Sequence, residues 1–165
     1  MRYSVFRKLN NYAKKWKILD LFFIFCARFL PYLIIGFLFV FLIFQKNEIL
    51  FIYAIIAGGI ARLLNEVVHI FYKKERPAYL ENTKVLIPLP KNYSFPSGHA
   101  SFLFGASLYV LFYFPVIGLS LILFSFIVGI ARVFCGVHWF RDILGGFVCG
   151  IISVFITNYL INLWI

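Results

Sequence analysis

Long apolar runs dominate this chain and leave it few ways to fold. From Leu19 to Phe44 the only charged residues are Asp20 and Arg28, and the run exceeds the roughly 20 residues that an α-helix needs to cross a bilayer. Similar runs extend over Ile49–Tyr72, from Gly98 to about Phe114, from Val116 to about Phe134, and from about Asp142 to Trp164. Backbone groups in hydrocarbon must be satisfied within their own segment, so runs of this composition read as helices. The expected fold is therefore all-α: a polytopic transmembrane bundle of about five spanning helices, one domain over residues 1–165. A hydrophobic content of 63% with mean hydropathy +0.93 excludes a soluble domain of this length.

The flanks of these runs carry the charge. Residues 1–17 place Arg2, Arg7, Lys8, Lys14, Lys15 and Lys17 around Val5, Phe6, Leu9, Tyr12 and Trp16, the pattern of an amphipathic helix lying in the headgroup layer. A signal peptide is excluded, because its apolar core would run on to Phe44. Pro31 marks a kink in the first span. Residues 73–97 hold Pro77, Pro88, Pro90 and Pro96 among lysines and glutamates, and read as the one long polar loop. The net charge of +10 points to anionic headgroups or phosphates as partners. Nucleic acid is the poorer match, since no basic segment interleaves with stacking aromatics outside the apolar runs. Cys26, Cys135 and Cys149 lack metal-site or disulfide spacing and read as small buried hydrophobes.

Three clusters punctuate this frame in order: Arg76-Pro77, then Pro96-Ser97-Gly98-His99, then Arg132 with His138 and Asp142. Counting spans puts the first two in the connection between helices two and three, and the last between helices four and five. Both connections fall on one side of the membrane, so the clusters can converge. Each also has a plain structural reading: Ser97 as an N-cap, the arginines as snorkelling membrane-end residues, His138 and Asp142 as a structural pair. The chemical reading is that backbone N–H groups at the start of a helix, opened by the bare Gly98, cradle an anionic oxygen. Arg76 and Arg132 would each add a two-pronged donor suited to phosphate. Asp142, four residues after His138, would accept from one imidazole nitrogen and leave the other free to attack.

In order and spacing these residues resemble the type 2 phosphatidic acid phosphatase superfamily, whose signature is Lys-x6-Arg-Pro, Pro-Ser-Gly-His and Ser-Arg-x5-His-x3-Asp. The second part matches outright, and Arg132, His138 and Asp142 keep the x5 and x3 spacings of the third. Two positions depart from the pattern. His69 stands where the signature has Lys, and Ala131 where it has Ser. His69 when protonated, Lys73 or Lys74 could supply the missing cation. The resemblance implies that His138 attacks phosphorus to give a phosphohistidine, that Asp142 fixes its tautomer, and that His99 protonates the leaving oxygen and later assists water. Arg76, Ser97, Gly98 and Arg132 would hold the nonbridging oxygens, with no metal or other cofactor.

The implied substrate is a lipid phosphate of the bacterial envelope: lipid A 1-phosphate, undecaprenyl diphosphate or phosphatidylglycerol phosphate. A lipid phosphotransferase using the same site, and a small membrane transporter, are the alternatives. Arg62, Asn65, Glu66 and His69 also form a polar stripe along helix two, with Arg62 and Glu66 as its obvious ion pair. Orientation draws opposing signals. Nearly all basic residues share the side of the clusters, which the positive-inside rule would put in the cytoplasm. The resemblance implies a site on the periplasmic or outer face of the inner membrane, and that is the expectation adopted. Nothing in the sequence bears on oligomeric state.

Overall fold

The computed structural model describes residues 2–89 and 93–163, and among these the chain forms seven α-helices and one 3₁₀ turn, with no strand. The helices are α1 (Arg2–Asn10), α2 (Lys17–Arg28), α3 (Leu30–Phe44), α4 (Glu48–Phe71), α5 (Gly98–Leu111), α6 (Pro115–Phe134) and α7 (Phe140–Asn162). The 3₁₀ turn, Pro77–Tyr79, lies in the long loop between α4 and α5.

The first apolar run is broken in two. α2 and α3 meet at an angle of 49° around Phe29. The cause is Pro31, the second residue of α3, which has no N–H to return to the carbonyl of Ala27 four residues earlier. That carbonyl is left for another donor.

Among the described residues α4, α6 and α7 are long and apolar enough to cross a bilayer, and the bent α2–α3 pair makes a fourth span if counted as one. α5 differs from the expected third span. It ends at Leu111 and, at 14 residues, falls short of the roughly 20 that a crossing needs. Ten of its 14 residues are buried, because α4, α6 and α7 all pack against it. α5 is thus the interior helix of the bundle rather than a lipid-facing one. Small residues permit the close approach: a Cβ at Gly150 on α7 would lie 2.9 Å from the backbone nitrogen of Gly105 on α5. Leu38, Leu42, Leu50, Tyr109 and Val128 form the main core, while Ile18, Phe44, Phe71 and Phe155 stand exposed on the outer helices, as a lipid-solvated surface requires.

The N-terminal segment is helical only to Asn10, with turns over 11–15 in place of the helix expected to residue 17. α1 is fastened to the bundle. Phe6 is buried against Trp139 with ring centroids 5.1 Å apart. Asn10 donates to the carbonyls of Phe134 (2.9 Å) and Lys84 (2.8 Å) and accepts from the Lys84 N–H. The helix therefore ties the long loop to the end of α6, next to the chain that carries His138.

Candidate active site

The three clusters meet at one end of the bundle. Helix termini bring them there: the loop after α4 carries Arg76, the start of α5 carries Ser97, Gly98 and His99, the last turn of α6 carries Arg132, the lead-in to α7 carries His138 and the first turn of α7 carries Asp142. A cavity of about 70 Å³ lies among them, lined by Arg62, His69, Arg76, Pro96, Gly98, His99, Arg132 and His138.

His138 lies just before α7 rather than within it, and the chain's entry into the helix supplies the four-residue pairing with Asp142. Its Nδ1 is 3.0 Å from the Ser94 carbonyl oxygen and 3.3 Å from Asp142 Oδ2. A carbonyl can only accept, so Nδ1 carries the proton and donates, which leaves a lone pair on Nε2. Arg76 Nη1 lies 3.1 Å from Nε2 and 3.5 Å from Nδ1, against the imidazole ring and to the side of the Nε2 lone pair. Burial first, then the nearby Arg132 and Arg76 cations, hold His138 well below the ordinary imidazole range. The ring is a neutral base with a guanidinium packed close against it.

Both signature arginines are nearly sealed from solvent, Arg76 at 3% and Arg132 at 4% exposure. Backbone carbonyls set their aim. Arg76 donates to Val137 (2.8 Å) and Tyr93 (2.9 Å). Arg132 donates through Nη1 to Ala27 (3.3 Å), the carbonyl that Pro31 leaves unclaimed. Arg132 Nε and Ser97 Oγ are buried without a hydrogen-bond partner among the described residues. Ser97 therefore does not act as an N-cap side chain for α5, and its backbone N–H instead donates to the carbonyl of Asp142 at 3.0 Å, joining the second and third clusters. Gly98 lines the cavity beneath the guanidinium of Arg62, and a Cβ there would fall 2.1 Å from Arg62 Nη1.

His69 and Lys73, both candidates for the missing cation, are treated differently. His69 is buried and lines the cavity, with Nδ1 3.4 Å from Glu66 Oε2 and Nε2 3.5 Å from Asn65 Nδ2. Lys73 is exposed and is not among the lining residues. Arg62 and Glu66 form the expected i,i+4 ion pair, at 3.1 Å. Ser94 is the participant that sequence reasoning missed. Its hydroxyl donates a short bond to Asp142 Oδ2 and its carbonyl accepts from His138, yet a lone serine in a proline-rich loop offers no pattern to find it by.

Apolar helices here bury a histidine beside guanidinium groups at one end of a bundle, an arrangement suited to a membrane protein that grips phosphate. The sequence profile described as PAP2 superfamily matches residues 47–165, and the chain belongs to that superfamily. It is 29% identical over 153 residues to the Bacillus licheniformis protein named bacitracin transport permease protein BcrC, covering 91% of this chain and 75% of that one. Undecaprenyl-diphosphatase BcrC of Bacillus subtilis is 27% identical over 163 residues, covering 94% of this chain and 82% of the relative. Among solved structures, the crystal structure of Aquifex aeolicus LpxE superposes with a TM-score of 0.78 at 28% identity, covering 96% of this chain and 94% of that chain.

Proposed function

We propose that this protein removes the terminal phosphate of a membrane lipid in two displacements at His138. His138 Nε2 attacks phosphorus and the phosphorus–oxygen bond to the lipid breaks, giving a phosphohistidine. A proton that enters with the substrate phosphate passes through His99, which lines the cavity, to the departing oxygen, and His99 then takes one from the water that releases inorganic phosphate. Asp142 and the Ser94 carbonyl hold the proton on Nδ1 throughout. Arg76, Arg132, Ser97 Oγ and the Gly98 N–H receive the nonbridging oxygens, and His69 takes the place of the signature lysine.

The observation that carries this reading is the 3.1 Å approach of Arg76 Nη1 to His138 Nε2 inside the shared cavity. Because the guanidinium lies beside the ring, a phosphate can take it as a ligand while the Nε2 lone pair approaches phosphorus. One cation about 4 Å from the phosphate contributes on the order of 4 kcal/mol at an effective dielectric near 20, before desolvation. Arg76 and Arg132 together therefore meet much of the charge that develops in the transition state, and the mechanism calls for no metal.

The name of the Bacillus subtilis relative, an undecaprenyl-diphosphatase, supports a lipid diphosphate as substrate, and the family resemblance adds lipid A 1-phosphate and phosphatidylglycerol phosphate to the set to try. The site faces outward from the cytoplasmic membrane, so a reporter fused to the C-terminus, at the far end of α7, is active only in the cytoplasm. Activity of the reporter only outside would reverse the orientation.

The decisive experiment offers purified protein, in detergent with a chelator, that panel of lipids and follows inorganic phosphate. Release from at least one lipid, lost by more than about 10⁴-fold in His138→Ala, is the expected result. Retained activity in the variant would sink the nucleophile assignment. Transfer of the phosphoryl group to an added alcohol without free phosphate would indicate a phosphotransferase.

A further inference from the structure

We infer that Arg62 is a specificity-determining residue that favours lipids carrying two linked phosphates over lipids carrying one. This rests on the phosphatase reading above, and it concerns a residue outside all three parts of the signature. Arg62 belongs to the wall of two spaces. One is the 70 Å³ cavity that holds His138, and the other is a larger space of about 400 Å³ lined by Pro31, Tyr32, Ile35, Phe102 and Leu103. Arg62, Gly98 and His99 line both, so the three residues stand where one space gives way to the other. The bend at Pro31 puts the start of α3 in the wall of the apolar space, which suits a hydrocarbon chain.

The two spaces divide the substrate. With the reacting phosphate in the small cavity beside His138 and the hydrocarbon chain in the larger space, the group that links them passes Arg62, Gly98 and His99. In a diphosphate lipid that group is the second phosphate. A lipid monophosphate would instead set a methylene there, leaving the guanidinium with Glu66 alone. The absent side chain of Gly98 is what lets the guanidinium reach this position. Glu66, its ion-pair partner, is 47% exposed and Arg62 itself 42%, so the pair is not sealed within the bundle and the guanidinium can exchange the carboxylate for a phosphate.

The chemistry gives Arg62 a further effect on the diphosphate. The bond from His138 Nε2 forms at the terminal phosphorus, the bond to the bridging oxygen breaks, and the electron pair leaves with the lipid monophosphate. Negative charge therefore grows on the group next to Arg62 and is stabilised as it appears.

The test compares kcat/KM for a polyprenyl diphosphate and the polyprenyl monophosphate of the same chain length in mixed micelles. The wild-type protein should favour the diphosphate, and Arg62→Gln should lower the diphosphate-to-monophosphate ratio by about tenfold or more. Glu66→Gln, which frees the guanidinium, should raise the ratio. Equal losses on both lipids in Arg62→Gln, or a wild-type preference for the monophosphate, overturn the inference. If Arg62→Gln does not fold, Glu66→Gln decides, and a ratio that fails to rise overturns it. A wild-type protein inactive on both lipids, and on the wider panel, defeats the phosphatase reading instead.

Discussion

Asp142 Oδ2 accepts from the hydroxyl of Ser94, from the Trp139 N–H at 2.7 Å and from His138 Nδ1 at 3.3 Å. A carboxylate so engaged fixes three things together: the loop before α5, the first turn of α7 and the imidazole between them. The i,i+4 spacing of His138 and Asp142 was legible in the chain, but the nearer partner of Nδ1 is a main-chain carbonyl whose residue type carries no signal. The same holds for the Tyr93 and Val137 carbonyls that aim Arg76. The buried neutral state of His138 has a pH consequence. Because its folded pKa is depressed, the unfolded chain takes up the proton first, so stability falls as pH drops below the ordinary imidazole value of about 6.5 and continues to fall toward the folded value. The nucleophile remains unprotonated across that window. The acid limb assigned to His138 in a kcat/KM profile should therefore lie well under pH 6.5, and a His138 limb centred at or above 6.5 would contradict the burial argument.

Among the helices, the broken α2–α3 pair shows a sequence feature acting at a distance. Pro31 was readable as a kink. Its effect on the site was not, because the carbonyl it releases at Ala27 is taken by Arg132, more than a hundred residues later in the chain. Pro31→Ala restores an N–H that competes for that carbonyl and straightens the junction. Arg132 then loses its aim, and kcat/KM should fall by about 10- to 100-fold, as a misplaced positioning group does, while circular dichroism shows helicity kept or increased. Unchanged kinetics would mean that the Ala27 contact is incidental. The interior position of α5 was not legible for a related reason. Its apolar length runs past Leu111, but hydropathy cannot distinguish a helix buried by lipid from one buried by three neighbouring helices.

At the scale of the whole molecule, α1 packs near the end that carries the cavity, through Phe6 on Trp139 and Asn10 on the loop and the end of α6. The amphipathic pattern of residues 1–17 was plain, and it points to the headgroup layer. Burial of Phe6 and Asn10 against the loop and α6 could not be read from it, since those contacts join residues more than seventy positions apart. Asn10→Ala leaves the Lys84 N–H and the Phe134 carbonyl without this partner, a loss of about 1–3 kcal/mol at a buried position. Thermal unfolding in detergent should show the drop, and activity should fall with it as the His138 lead-in loosens. A variant as stable as the parent would reduce α1 to a passive appendage. The interior position of α5 has a broader consequence. Stretching or thinning of the surrounding bilayer acts first on the outer helices, so Ser97 and His99, which ride on a helix sheathed by protein, keep their register whatever the acyl composition of the host membrane.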